Sequence, residues 1–273
     1  MDSNLTETFT QQGFVIVPGL FSDEILEEAR RELSGLVDSI ARKLLSEGKV
    51  EDTVEDAPFD KRLCLLFEEI PEQSPRSFRP ELHLKGLFPF FFHQELLDLV
   101  ERILGAEIRL YPNYTARPKL PENPRTLVLW HQDGGYTGAE SDVLRMVNIW
   151  APLVPATIEN GCMQFIPGSH NCGVVQHHSR EHYLEIDEAV LNPLLDSAVD
   201  IEVEPGDVVL FHNLLFHQGL PNRSETVRWS LDWRYQDATQ DTQRKYKGHI
   251  ARSRSQPERE VTSREEWAEL DFQ

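Results

Sequence analysis

Apolar residues recur along this chain at two different spacings, and the change falls near residue 106. In the first part, Leu26, Ala29, Leu33, Leu36, Ile40 and Leu44 follow one another at steps of three and four. That is the stripe of an amphipathic helix, and it signals core packing. Ser22, just ahead of it, offers an N-cap, and Asp23 and Glu24 suit the electropositive first turn. Gly13-Phe14-Val15-Ile16-Val17-Pro18 is a short β-rich run closed by proline, and a second helix is predicted over Gln94–Leu104, ended by Gly105. From residue 108 the segments shorten to strand length: Ile108–Thr115, Thr126–His131, Leu144–Leu153, Cys162–Ile166, Asp200–Val203, Asp207–Phe211 and Val227–Tyr235, each bounded by Pro, Gly, Asn or Asp. Short strands after a helical start predict a mostly β fold, a sandwich or jelly roll with flanking helices. No repeat or linker divides the chain. It reads as one domain over residues 1–273, with a helical N-terminal elaboration (1–105), a β core (106–236) and a C-terminal extension (237–273).

Composition narrows the function classes. With 273 residues and 40% hydrophobic content, the chain can bury a substantial core. Its net charge of −19 argues against a nucleic-acid partner, which needs a concentrated basic face. No apolar run reaches the roughly 18–20 residues that span a bilayer, so no membrane partner is expected. The polar start, MDSNLTETFTQQG, lacks the basic-then-apolar order of a secretory signal, and three cysteines (Cys64, Cys162, Cys172) show no zinc-like spacing. A reducing, cytoplasmic setting is the expectation. One basic cluster, from Arg244 to Arg264, stands out; pairing with the acidic remainder of the surface is its expected use.

Candidate chemistry centres on Trp130-His131-Gln132-Asp133, which ends a strand and enters a Gly134-Gly135 turn. Alternation places His131 and Asp133 on one face of an extended chain, where both can converge on an ion. His217, in Phe216-His217-Gln218-Gly219, is the expected third ligand. Two imidazoles and one carboxylate leave three metal positions open, which is what an Fe(II) oxygenase needs to bind a bidentate cosubstrate and O2 together. Arg228 follows His217 by 11 residues, and its guanidinium fork suits the far carboxylate of a dicarboxylic acid, with Ser230 two residues on able to add a hydroxyl. His212 and His170 are expected to be structural, and His177, His178 and His182 to lie in a solvated polar loop.

Four stretches, WHQD (130–133), ENGCMQFIPGSH (159–170), EPGDVVLF (204–211) and HQGLPNRSETVR (217–228), resemble the phytanoyl-CoA dioxygenase-like superfamily of iron/2-oxoglutarate oxygenases. The opening GFVIVPGLFSDEILEEAR resembles the family's first strand and helix. The resemblance implies a double-stranded β-helix (a cupin-like jelly roll) with Fe(II) held by His131, Asp133 and His217 at one open end. It implies 2-oxoglutarate as cosubstrate, with its C5 carboxylate on Arg228 and further contacts from Asn113, Trp150 and Gln132. It also implies O2-dependent hydroxylation of a small-molecule substrate, releasing succinate and CO2. Because Asp133 fills the carboxylate position, hydroxylation is favoured over the halogenation of relatives that lack it. The substrate lining is expected from the loop after the metal motif (Gly135, Tyr136, Thr137), the Phe88–Phe92 region and the segment beyond Tyr235. Two alternatives set beside this are a cupin-like metalloenzyme without 2-oxoglutarate, which leaves Arg228 unexplained, and a non-catalytic module on the same fold.

Overall fold

The computed structural model describes residues 2–136, 142–180 and 183–272. Its first part is largely helical: α1 (Asp2–Gln12), β1 (Phe14–Val17), α2 (Asp23–Ser46), α3 (Arg62–Leu66), α4 (Phe88–Phe91) and α5 (Gln94–Leu104). Ser22 caps α2 as its position predicts, its hydroxyl accepting from the Ile25 N–H. The deepest face of α2 carries Leu26, Ala29, Leu33, Val37, Ala41 and Leu44, so the stripe tilts by one residue midway and leaves Leu36 and Ile40 at its margin. Burying each such large aliphatic side chain contributes about 1.5–3 kcal/mol. Gly105 ends α5 at a φ of 92°, a backbone conformation that glycine adopts without strain.

Strands follow: β2 (Glu107–Leu110), β3 (Thr115–Lys119), β4 (Val128–His131), β5 (Met146–Pro152), β6 (Met163–Phe165), β7 (His177–Ser179), β8 (Leu184–Ile186), β9 (Val199–Ile201), β10 (Val208–His212), β11 (His217–Gly219), β12 (Arg228–Asp237) and β13 (His249–Ser253). Two short helices, α6 (Glu188–Leu191) and α7 (Arg264–Glu269), complete the chain. The larger sheet runs β1-β10-β5-β12-β2-β13, with β3 also on β12; the smaller runs β4-β11-β6-β9, and β7 and β8 form a hairpin. The named strands pair antiparallel throughout, as short connections favour. The two sheets pack through Trp150, Val209 and Phe211 of the larger against Met163, Phe165 and Ile201 of the smaller. The helices cover the outer face of the larger sheet, where Leu26, Leu33 and Leu97 join Ile149, Leu231 and Trp233 in one core. The fold is thus the jelly roll with flanking helices that the sequence predicts.

Three details depart from expectation. The run Ile108–Thr115 is two strands, because Pro112 lacks the N–H a ladder needs and the chain turns between Tyr111 and Tyr114. The C-terminal segment adds β13 to the edge of the larger sheet against β2, and β1 adds a strand from the N-terminal part. The Phe88–Phe92 region packs into the helical core and is not part of the cavity lining among the described residues: Phe90 and Phe91 are fully buried against Trp233, and Phe91 also meets Trp267 and Tyr114.

Candidate active site

His131 ends β4 and His217 begins β11, and the two are direct cross-strand partners. Their rings lie 4.0 Å apart, centroid to centroid, and both are buried. Each is oriented in the same way. The Nδ1 of His131 donates to the Leu129 carbonyl at 2.8 Å, and that of His217 to the Leu215 carbonyl at 2.9 Å. A carbonyl only accepts, so each neutral ring keeps its proton on Nδ1 and presents a bare Nε2 to the space between. Burial, with His131 alongside, pushes the His217 imidazole down to about 3, keeping it unprotonated at neutral pH. Asp133 opens the turn after β4 and brings a carboxylate oxygen into the same cluster; the three candidate ligand atoms lie within 4.8 Å of one another.

The larger sheet supplies the support for Asp133. Asn148 on β5 and Arg234 on β12 are register partners, so one cross-strand pair presents two donors to one carboxylate. Asp133 Oδ2 accepts from Asn148 Nδ2 at 2.7 Å and from Arg234 Nη2 and Nε at 2.7 and 3.2 Å. Arg234 also donates to Asp232 at 2.5 Å, and Asp232 accepts from Arg117 Nε at 2.5 Å. The result is an alternating chain, Arg117–Asp232–Arg234–Asp133, along the cavity wall. Burial alone raises the Asp133 carboxyl, but the Arg234 guanidinium beside it outweighs that effect and holds it well below the carboxylate range. Asp133 is therefore ionised, as a metal ligand must be.

Strand β12 shows how the sequence builds this wall. Trp229, Leu231, Trp233 and Tyr235 point into the helical core, while Arg228, Asp232 and Arg234 face a cavity of about 870 Å³ between the sheets. Arg228 is 4% exposed, and burial pushes its guanidinium down to about 10. Its Nη1 donates to Ser230 Oγ at 2.6 Å, its Cζ lies over the Trp150 ring 5.3 Å from the centroid, and its Nε has no partner among the described residues. Directly across the strand pair stands Lys119, 3% exposed, its Nζ donating to the Thr126 and Gly219 carbonyls. Burial and the neighbouring Arg228 push the Lys119 ammonium well below its usual range. Among the described residues neither basic group has a carboxylate partner, an arrangement suited to receiving an anion. Gly161 makes room for Lys119: a Cβ there would fall 2.7 Å from Lys119 Cε and 2.4 Å from the Leu220 carbonyl, at a φ of +86°. The glycine of the ENGCMQF stretch thus has a packing reason.

Of the other expected contacts, Asn113 lines the cavity with an unpartnered Oδ1, and Trp150 lies beneath Arg228. Tyr136 lines the cavity mouth, half exposed, with its hydroxyl accepting from the Leu184 N–H. Thr137 lies outside the described residues. Gln132 is the correction. Its fully buried amide donates to the Gly173 and Leu214 carbonyls at 2.8 and 2.7 Å and its Oε1 accepts from the Val175 N–H, so it braces the turn after β4 from behind and does not line the cavity. His212 and His170 stay apart from the cluster, with His170 on the Thr10 carbonyl. His177 is not a solvated loop residue: it is half-buried, its Nε2 accepts from the Gln132 N–H, and its ring packs against Gly135. His178 pairs with Asp187, and His182 lies outside the described residues. Sequence reasoning missed Lys119, Asn148, Asp232 and Arg234. The signal was present in β12, where charged residues alternate with tryptophans in a strand with neighbours on both sides, so the charges had to face an internal cavity.

The donor set fits a divalent iron: two bare imidazole nitrogens and one ionised carboxylate on one side of an open cavity. The profile of the family described as Phytanoyl-CoA dioxygenase (PhyH) matches residues 9–230. A 1-deoxypentalenic acid 11-beta-hydroxylase of Streptomyces arenae is 33% identical over 160 residues, 54% of this chain and 56% of that relative, so the match spans just over half its length. The corresponding hydroxylase of Streptomyces exfoliatus is 26% identical over 249 residues, covering 86% of this chain and 81% of its own. Among solved structures, EctD from S. alaskensis with 2-oxoglutarate and 5-hydroxyectoine superposes with a TM-score of 0.62 at 20% identity, over 88% of this chain and 77% of that one, a likeness of fold.

Proposed function

The chain belongs to the phytanoyl-CoA dioxygenase (PhyH) family, and from that premise we propose that it is an iron- and 2-oxoglutarate-dependent dioxygenase that hydroxylates a C–H bond of a small molecule. His131, Asp133 and His217 hold the iron. Arg228, seconded by Lys119 and Ser230, holds the C5 carboxylate of 2-oxoglutarate, with Trp150 and Asn113 along its length. The observation that carries this reading is the pairing of a two-histidine, one-carboxylate cluster with a buried, unpaired Arg228 and Lys119 in the same cavity.

Bound iron, with 2-oxoglutarate and O2, supplies the oxidising chemistry, and succinate and CO2 are the by-products. The chain supplies geometry. Leu129 and Leu215 carbonyls fix the two imidazoles in the ligating tautomer. Asn148 and Arg234 occupy one oxygen of Asp133, leaving the other to ligate. The Arg228–Trp150 stack orients the fork that receives the far carboxylate. Phe165 and Phe211 surround His217 with apolar surface and exclude water from that side.

Anaerobic titration of 2-oxoglutarate into Fe(II)-loaded protein tests the assignment. A weak visible charge-transfer band is expected in the wild type, weakened in Arg228→Ala and abolished in His217→Ala. No band in folded, iron-loaded wild type would overturn the cosubstrate assignment and leave a metalloprotein of another kind.

A further inference from the structure

The chain carries a net charge of −19, yet its cavity is walled by cations. The inner ones are accounted for. Arg117 and Arg234 pair with Asp232 and Asp133, and Arg228 and Lys119 await the cosubstrate. Four more line the outer part: Arg76, Arg79, Arg244 and Lys245. None of the four forms an ion pair among the described residues. Arg76 donates to the Arg125 carbonyl and the Tyr183 hydroxyl, and Arg244 to the Tyr111 hydroxyl at 3.2 Å; Lys245 lies over the Tyr246 ring. The Arg79 guanidinium has no hydrogen bond among the described residues. Most of their neighbours in the basic C-terminal cluster behave otherwise: Lys247, Arg252, Arg254 and Arg264 are each paired with Asp or Glu, while Arg259, which does not line the cavity, bonds Gln256. On so acidic a surface, cations left unpaired and gathered at one cavity are aimed at a ligand.

The same wall is not uniformly polar. Tyr111, Pro112, Met146 and Phe272 lie among these cations, offering apolar surface next to fixed positive charge. Arg79 is held close to the inner network: burial lowers its pKa, and the nearby Arg117 opposes its charge further. An added anion offsets the repulsion from Arg117 and favours the charged guanidinium.

We propose that the substrate is an amphipathic anion, a hydrocarbon-rich small molecule bearing a carboxylate or phosphate, whose charged group is held at the cavity mouth by Arg79 and Arg244. Its apolar part lies along Tyr111, Pro112 and Met146 and directs a C–H bond inward to the His131–Asp133–His217 cluster. Guanidinium forks suit either head group, since both accept paired N–H donors. The proposal rests on the oxygenase reading for its chemistry, but its binding step does not need turnover.

The test uses four probes that share an eight-carbon chain: octanoate, octyl phosphate, octanol and octylammonium. Each is titrated calorimetrically into the protein, metal-free and again loaded with Ni(II) and 2-oxoglutarate, in which no turnover occurs. Octanoate or octyl phosphate is expected to bind at least tenfold more tightly than octanol, with octylammonium weakest, and the stronger of the two acids identifies the head group. Arg79→Gln combined with Arg244→Gln is expected to weaken the anion at least tenfold. Arg42→Gln combined with Lys43→Gln, two exposed charges on α2, removes the same two unit charges and serves as control with unchanged binding. 2-Oxoglutarate binding to each Ni(II)-loaded variant verifies that the inner site is intact. Equal binding of octanol, absence of anion binding, or full anion affinity in the double variant would overturn the proposal. Failure of 2-oxoglutarate to bind the wild type would instead overturn the oxygenase reading, leaving the metal-free titrations to judge the anion site on their own.

Discussion

Arg234 donates to Asp133 through two guanidinium nitrogens, at 2.7 and 3.2 Å, while the other carboxylate oxygen lies 3.6 Å from His131 Nε2. One oxygen is thereby committed to the larger sheet and the other left for a metal. Hydrogen bonds that orient a ligating carboxylate typically carry 10–100-fold in metal affinity. Arg234→Met is expected to lower Fe(II) affinity by about that factor, measured by metal titration, with the 2-oxoglutarate KM at saturating iron changing much less. Because Asp232 also loses a partner, Asp232→Asn in the same chain should restore part of the lost stability. Iron affinity unchanged in Arg234→Met would mean that Asn148 alone positions the carboxylate.

Arg228 and Lys119 make opposite predictions with and without cosubstrate. Two buried like charges repel each other, so in the absence of an anion Lys119→Met should raise the melting temperature. With 2-oxoglutarate present the order reverses, because the wild type gains the missing carboxylate and the variant gains less. Arg228→Ala removes the fork itself and should raise the 2-oxoglutarate KM by about 100-fold, roughly 2.7 kcal/mol. A thermal shift by 2-oxoglutarate that is as large in Lys119→Met as in the wild type would remove Lys119 from the pocket.

The sequence made the metal cluster and Arg228 readable because those side chains sit at strand ends or in short fixed spacings, where alternation alone puts His131 and Asp133 together. The support for Asp133 was harder to read, since Asn148 and Arg234 meet it only through pairing of β5 with β12, 86 residues apart along the chain, and register is a tertiary property. Lys119 was hidden for the same reason: its partner Arg228 stands opposite it on a strand from a distant part of the chain. His177 was misjudged because a polar local composition says nothing about a ring that folds back onto the Gln132 backbone. The break at Pro112, by contrast, was written in the residue type and was overlooked within an otherwise β-rich run.

Gln132 separates a brace from a ligand-binding residue. Its amide closes three hydrogen bonds to backbone groups at Gly173, Val175 and Leu214, on two segments distant in sequence. Gln132→Leu leaves two carbonyls and one N–H in a buried site without partners, at about 1–3 kcal/mol each before relaxation. Thermal stability should fall clearly, and iron affinity with it, while the 2-oxoglutarate KM of the folded, iron-loaded variant stays within about twofold (~0.4 kcal/mol). A large KM effect at normal stability would restore Gln132 to the cosubstrate pocket.

Histidine burial away from the site sets a pH dependence of stability. His249 is 7% exposed, its Nε2 has no partner among the described residues, and its ring meets the edge of Trp267 at 5.4 Å. Burial, with His83 nearby, pushes its imidazole from the ordinary 6.5 down to about 4. Between those values the unfolded chain binds a proton that the folded chain refuses, so stability falls as the pH is lowered through this window. Above pH 6.5 the group is neutral in both states and costs nothing, and below about 4 both states hold the proton and the loss stops growing. His212, also pushed down to about 4 by burial, adds a second contribution of the same sign. Each such proton changes the unfolding free energy by at most about 1.4 kcal/mol per pH unit. Urea denaturation of the metal-free protein at steps from pH 7.5 to 4.5 should therefore show stability flat at first and then declining. In His249→Gln the decline should be shallower by close to one proton, whatever the substitution costs at pH 7.5. A slope identical to the wild type would show that His249 takes up its proton in the folded chain as freely as in the unfolded one.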